Sequence, residues 1–269
     1  MTELQPFSFV DLPTARSASK PRRSGLTMMA DWGIGLGHQR DVLELAGAYV
    51  DFAKIVTGTA RLYRREHLEA KLEAYREAEV RPFIGGQFHE YVFAEGGWQA
   101  LIPFYREAVA LGFDTIEISD NCLPLDDDER ARQIRMAIDS GLRVFGEVGS
   151  KDEKSDIADL VRQAHVCFEA GAEYVLVEAA ELVADGVIRE ASLVQLRSDL
   201  DLSRVMIELP GPWISGTTLS KVEDMKKLLV KALGPDVNLA NLKPDDLIAT
   251  EALRTGLGVV GPKTRKELA

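Results

Sequence analysis

Four glutamates, Glu117, Glu147, Glu178 and Glu208, recur along the chain at intervals of 30, 31 and 30 residues. Apolar neighbours flank them: Ile116 and Ile118, Val148, Val177 and Ala179, Ile207 and Leu209. Successive side chains of a strand face opposite ways, so flanks suited to an apolar layer leave the glutamates on the other side. Lys54, between Ala53 and Ile55, follows the same alternation in the run Tyr49–Val56. Carboxylates that converge on one interior repel each other and lose solvation, so they ionise together only against positive charge. One ammonium does not balance four of them, and a divalent cation supplies the rest. With four histidines, no H-E-x-x-H and no C-x-x-C, the donors are oxygens, which suits Mg²⁺ or Mn²⁺ better than Zn²⁺. This reading assigns proton transfer to Lys54 and Glu147 and metal binding to Glu117, Glu178 and Glu208. The plainer alternative is that the glutamates bridge strands or stay protonated and hydrogen-bonded.

The elements that must position these groups follow the same beat. Strand-like runs are expected at Thr27–Asp31, Tyr49–Val56, Val80–Gly85, Asp114–Asp120, Arg143–Gly149, Tyr174–Ala180, Arg204–Leu209 and Val237–Leu242. Helical patterns separate them at Arg65–Glu79, Trp98–Leu111, Asp126–Ser140, Asp156–Ala170 and Ser220–Leu233, several closing on glycine. Eight strand candidates in one composition regime favour closure over an open doubly wound sheet. The expected class is α/β, a single (β/α)8 TIM barrel over 26–269. Residues 1–25, where Pro6, Pro13 and Pro21 mix with Ser, Arg and Lys without a period, read as a short N-terminal arm.

Barrel chemistry gathers at the C-terminal ends of strands, which nominates the polar residues found there. Asp31 ends the first strand, Gln87 and His89 follow the third, and Asn238 and Asn241 lie in the eighth, all as substrate-binding candidates. Lys151, after the fifth, joins the catalytic set as a cation for an anionic substrate. The glycine, serine and threonine loop Gly211–Thr218 lies where barrels often hold phosphate. Gly33, Gly35 and Gly37 do not complete a dinucleotide fingerprint, because His38 stands where the motif needs a later glycine.

Composition narrows the partners. The chain of 269 residues carries a formal charge of −11, with no basic run beyond Lys20 to Arg23, so nucleic acid is not an expected partner. No apolar run approaches the ~18 residues of a membrane span, and two cysteines suit a reducing compartment. The expectation is a cytoplasmic protein acting on a small anionic carboxylate without a membrane partner; a homo-oligomer stays open.

The segments Asp51-Phe-Ala-Lys-Ile-Val-Thr-Gly-Thr59, Gly112-Phe-Asp-Thr-Ile-Glu-Ile-Ser-Asp120, Gly146-Glu-Val-Gly149, Phe168-Glu-Ala-Gly-Ala-Glu-Tyr-Val-Leu-Val-Glu178 and Gly234-Pro-Asp-Val-Asn-Leu-Ala-Asn241 together resemble the phosphosulfolactate synthase family. The resemblance runs from about Thr27 to Leu257. It implies a (β/α)8 barrel and an enzyme that adds sulfite to phosphoenolpyruvate with Mg²⁺, or a place in the family's plant heat-stress-associated branch, which has no assigned reaction. Lys54 and the four glutamates match charged positions of the family's barrel interior. Three departures remove positive charge or change the pocket. Trp32 stands for the family's strand-one lysine and enters the substrate-binding set, Gly85-Gly86-Gln87 replaces glycine-glycine-threonine, and Ala179–Leu182 replaces glycine-arginine-glutamate. The function expected of this divergent member is a Mg²⁺-dependent lyase or synthase forming or breaking a bond to a small (phospho)enol or unsaturated carboxylate. Two alternatives accompany it: a Schiff-base aldolase using Lys54, and a non-catalytic stress-associated barrel.

Overall fold

In the computed structural model, residues 6–14, 16, 19–149, 156–184, 186–211 and 214–258 are described. Strands β1 (Thr27–Asp31), β2 (Phe52–Ile55), β3 (Arg81–Ile84), β4 (Thr115–Ile118), β5 (Arg143–Val148), β6 (Tyr174–Glu178), β9 (Val205–Glu208) and β10 (Leu239–Leu242) are all parallel. They close in the order β1-β10-β9-β6-β5-β4-β3-β2, so the expected barrel is present. A small antiparallel pair, β7 (Val183–Ala184) and β8 (Val187–Ile188), decorates the connection after β6.

Among the described residues eight α-helices surround the barrel: α1 (Leu36–Ala46), α2 (Arg65–Glu77), α3 (Gly86–Leu111), α4 (Asp127–Asp139), α5 (Ile157–Ala170), α6 (Glu190–Asp199), α7 (Leu219–Leu233) and α8 (Leu247–Thr255). The expected helices sit within a few residues of their places, and α4 opens on a reciprocal cap between Asp126 and Glu129. Helices α1, α6 and α8 and the first half of α3 were not expected. Glycines crowd the starts of α1 and α3, neither start has a side-chain cap, and α3 bends at Gly97; local signals there read as loop. Among the described residues no helix is long and apolar enough to cross a membrane.

Alternation divides the barrel cleanly. Outward residues such as Met29, Ala53, Ile84, Ile116, Val144 and Val177 form one apolar layer with the helices. Inward residues Met28, Phe52, Phe83, Phe145, Leu176 and Met206 form a separate plug at the N-terminal end, with Phe145 edge-on to Phe52 and Phe83 at 5.0 Å. One step further along the strands, the inward positions are Lys54, Glu117, Glu147, Glu178 and Glu208. The apolar plug beneath them keeps water from reaching them from below, so their electrostatics is decided at the open, C-terminal end.

Two arginines tie the described part of the arm down, while its Phe7, Phe9, Val10 and Leu12 are exposed. Arg16 pairs with Glu251 at 2.7 Å and Asp236 at 3.4 Å, and buried Arg22 pairs with Asp51 at 3.1 Å. These contacts lay the arm across the N-terminal ends of β2 and β10, opposite the acidic layer.

Candidate active site

Lys54 Nζ lies 2.8 Å from Glu117 Oε2 and 3.1 Å from Glu208 Oε1. Burial alone lowers an ammonium's pKa, but the carboxylates of Glu117, Glu208 and Glu147 overcome it and hold Lys54 well above the usual lysine range. Burial pushes the Glu117 carboxyl up to about 8; Lys54 pulls it down, while Glu147 and Glu208 add to the rise. Carboxylate oxygens of Glu117, Glu147 and Glu208 lie within 4.8 Å of one another, and all three residues are buried. Once all three are ionised, three carboxylates less one ammonium leave two negative charges, the charge that one divalent cation neutralises. The trio is therefore a site able to hold a metal ion, with hard oxygen donors.

Neighbouring groups aim the carboxylates. Glu117 Oε1 accepts the Gly86 N–H at 2.9 Å. A Cβ at Gly86 would collide with Ser119 Oγ and stand 2.9 Å from that same oxygen, so the contact requires glycine. Asn121 Nδ2 donates to Glu147 Oε1 at 2.8 Å. The Arg130 guanidinium, buried in α4, donates to the Glu147 carbonyl at 3.0 Å and to Asp120, tying the ends of β4 and β5 together.

Asn241 reaches the site through an irregularity. Thr27 pairs with Leu239 but Met29 pairs with Leu242, so β10 carries one extra residue, and Asn241 there is left-handed (φ 62°). A bulge of this kind re-aims a side chain; Asn241 Nδ2 donates to Glu208 Oε1 and, at 3.3 Å, to the Leu209 carbonyl. Thr57, also at the mouth, is left-handed as well (φ 47°), a conformation costing roughly 1–3 kcal/mol that surrounding structure must sustain.

These groups line a cavity of about 230 Å³ together with Trp32, Val56, Gly85 and Gln87. Among its described lining residues Lys54 is the one cation. Of the residues nominated from sequence, Lys54, Glu117, Glu147, Glu208, Trp32, Gln87 and Asn241 are brought together. Lys151 lies outside the described residues.

Four others stand elsewhere. Glu178 is buried and in register with Glu208, yet it is outside the close trio. Asp31, two residues beyond Met29, shares its outward side and meets Lys71 Nζ at 2.8 Å and Tyr75 Oη at 2.7 Å; the parity applied to the glutamates also applies to it. Asn238 sits at the wrong end of the barrel. Its Oδ1 accepts the Leu26 N–H at 2.8 Å and its Nδ2 donates to the Leu202, Ser203 and Val205 carbonyls, a staple across strand ends.

His89 is not in a loop but in the first turns of α3, fully buried, stacked on Tyr105 and sharing a 2.8 Å hydrogen bond with its hydroxyl. Burial pushes its pKa down to about 3. A histidine neutral in the fold but protonated when unfolded near its ordinary 6.5 loses stability as pH falls below that value. The stability advantage of the parent over His89→Gln is expected to shrink by roughly 2–3 kcal/mol between about pH 7 and about pH 4.5, as measured by urea unfolding. An advantage independent of pH would show that His89 takes up its proton in the folded state.

Sequence reasoning did not find Arg130. The available signal was its place on the apolar stripe of α4, in line with buried Ile134 and Ala137, where an arginine needs buried partners.

Residues 15–259 match the profile of the (2R)-phospho-3-sulfolactate synthase (ComA) family. A phosphosulfolactate synthase of Methanothermobacter thermautotrophicus is 34% identical over 258 residues, spanning 92% of this chain and 95% of the relative. The Arabidopsis thaliana protein HEAT-STRESS-ASSOCIATED 32 is 27% identical over 249 residues, 82% of each. Among solved structures, the YdjI aldolase of Escherichia coli K12 superposes with a TM-score of 0.54 at 14% identity, covering 84% of this chain and 78% of the aldolase. That last likeness concerns the barrel fold.

Proposed function

Because the chain belongs to the phosphosulfolactate synthase family, a family of enzymes, we propose that it is a Mg²⁺- or Mn²⁺-dependent lyase or synthase that forms or breaks a bond to a small enol or unsaturated carboxylate. The observation that carries this reading is Lys54 bridging Glu117 and Glu208 beside Glu147 in a cavity floored by apolar side chains. Glu117, Glu147 and Glu208 would hold a divalent cation, which when bound would supply positive charge beside an oxygen on which negative charge develops. Lys54 Nζ holds the proton that a carbanionic carbon takes up in bond formation, or recovers it in the reverse direction. Asn121 and Asn241 keep Glu147 and Glu208 from rotating, and the Gly86 N–H does the same for Glu117. The ion pairs of Lys54 argue against the Schiff-base reading, since imine formation needs the neutral amine.

The relatives' name denotes a product with phosphate and sulfonate groups, two anions. Here Trp32 and Lys54 line the cavity with no second cation among its described residues, which supports a less anionic carboxylate as substrate. The test is the purified protein with Mg²⁺, phosphoenolpyruvate and sulfite, followed by phosphorus NMR. In parallel, unsaturated and 2-oxo carboxylates are followed by proton NMR in D₂O. The expected result is negligible phosphosulfolactate but Mg²⁺-dependent deuterium uptake or turnover of another carboxylate. Robust phosphosulfolactate formation would show that other residues hold the phosphate, and no metal-dependent reaction with any compound would overturn the enzyme reading.

A further inference from the structure

Glu90, the fifth residue of α3, is a buried carboxylate that the chemistry above does not use. Both of its oxygens face one loop. Oε2 accepts the N–H groups of Cys122 at 2.6 Å and Leu123 at 3.0 Å, and Oε1 accepts the Ser119 hydroxyl. The loop joins β4 to α4 and has no regular secondary structure over 119–126. Backbone groups without a ladder need partners from side chains or water, and here α3 provides them.

The cargo of the loop is the wall of the acidic cavity. Asn121 donates to Glu147 Oε1 at 2.8 Å. Cys122 Sγ accepts from the amide of Gln87 at 3.6 Å, and Gln87 lines the cavity. Ser119 packs against Gly86, whose N–H holds Glu117 at 2.9 Å. Gly86 and Glu90 are four residues apart and so share a face of α3. That face presents a backbone donor to Glu117 and a carboxylate to the loop that steadies Glu147.

We propose that Glu90 is a positioning residue: by fixing the loop from Ser119 to Leu123 it keeps Asn121 on Glu147, and so aims that carboxylate at a divalent cation. The inference rests on the reading of Glu117, Glu147 and Glu208 as a cation site. Glu90 is outside that trio and acts through hydrogen bonds. A glutamine at this position still accepts both N–H groups with its one oxygen, and its NH₂ donates to Ser119, whose hydroxyl then accepts. Glu90→Gln therefore keeps the anchor and removes the charge, whereas Glu90→Ala removes both.

Mn²⁺ binding to the full chain, read from the electron paramagnetic resonance of the free ion, tests this. Glu90→Ala is expected to weaken binding about ten- to a hundred-fold, the range for losing a group that orients a metal ligand, and Glu90→Gln to stay within about three-fold of the parent. Adding Asn121→Ala to Glu90→Ala should cost less than about three-fold more, because residues acting through one contact are not additive. Leu101→Val, which loosens the buried apolar face of the same helix, should leave the affinity unchanged. Circular dichroism checks that each variant is folded. Should Glu90→Ala not fold, Glu90→Asp, whose carboxylate falls one methylene short of the loop, is expected to bind more weakly than Glu90→Gln. Parent-like affinity in Glu90→Ala, Glu90→Gln as weak as Glu90→Ala, full multiplication of the Glu90 and Asn121 losses, or an equal loss in Leu101→Val overturns the positioning role and leaves the cation site standing. No Mn²⁺ binding by the parent overturns both.

Discussion

Lys54→Met lowers turnover by roughly two to four orders of magnitude, the range for loss of a positioned proton donor. The side chain is 5% exposed and its ammonium contacts two carboxylates directly. Methionine of similar length fills the space but carries neither charge nor proton, leaving Glu117 and Glu208 to be compensated by metal or by protons of their own. Lys54→Arg separates the two roles, because a guanidinium keeps the charge but its planar fork does not place a proton where the lysine Nζ stands. If Lys54 is the proton carrier, Lys54→Arg retains its metal response and stays slow. Rates of deuterium uptake measured on folded variants check this, and a loss smaller than ten-fold in Lys54→Met would remove the residue from the chemistry.

Millimolar Mg²⁺ or Mn²⁺ is expected to raise the melting temperature. A ligand that binds the folded state alone, at about a hundred times its dissociation constant, adds ~2.7 kcal/mol, or roughly 5–10 °C for a chain of this size. The effect depends on which carboxylates converge. Glu147→Gln and Glu208→Gln should each abolish most of it, whereas Glu178→Gln should keep most of it, because Glu178 is outside the trio. Differential scanning fluorimetry with and without EDTA reads the shift. Identical melting curves across millimolar metal would make the acidic layer a structural feature held by Lys54 alone.

The departures from expectation share a cause. Asp31 ends its strand-like run and Glu147 lies near the end of its own, so they look alike as carboxylates near a barrel mouth. Alternation sends Glu147 inward and Asp31 outward to Lys71 and Tyr75. His89 follows a strand by only a few residues, but α3 begins at once and turns it away from the mouth. Asn238 and Asn241, three residues apart, serve opposite ends of the barrel, since a strand rises about 3.3 Å per residue and the bulge at Asn241 changes its side.

The sequence alone determined the closed (β/α)8 architecture and the inward direction of Lys54 and the four glutamates. Both rest on repeating local rules: two-residue alternation within a strand, and a thirty-residue strand-helix unit that packs in one way. Only the tertiary structure decided that Glu117, Glu147 and Glu208 converge while Glu178 stands aside, and that Arg130 braces Glu147. Those facts depend on the register between neighbouring strands and on ring closure. Lys54 and Glu208 meet across a sequence separation of 154, where no local pattern records the distance between their side chains.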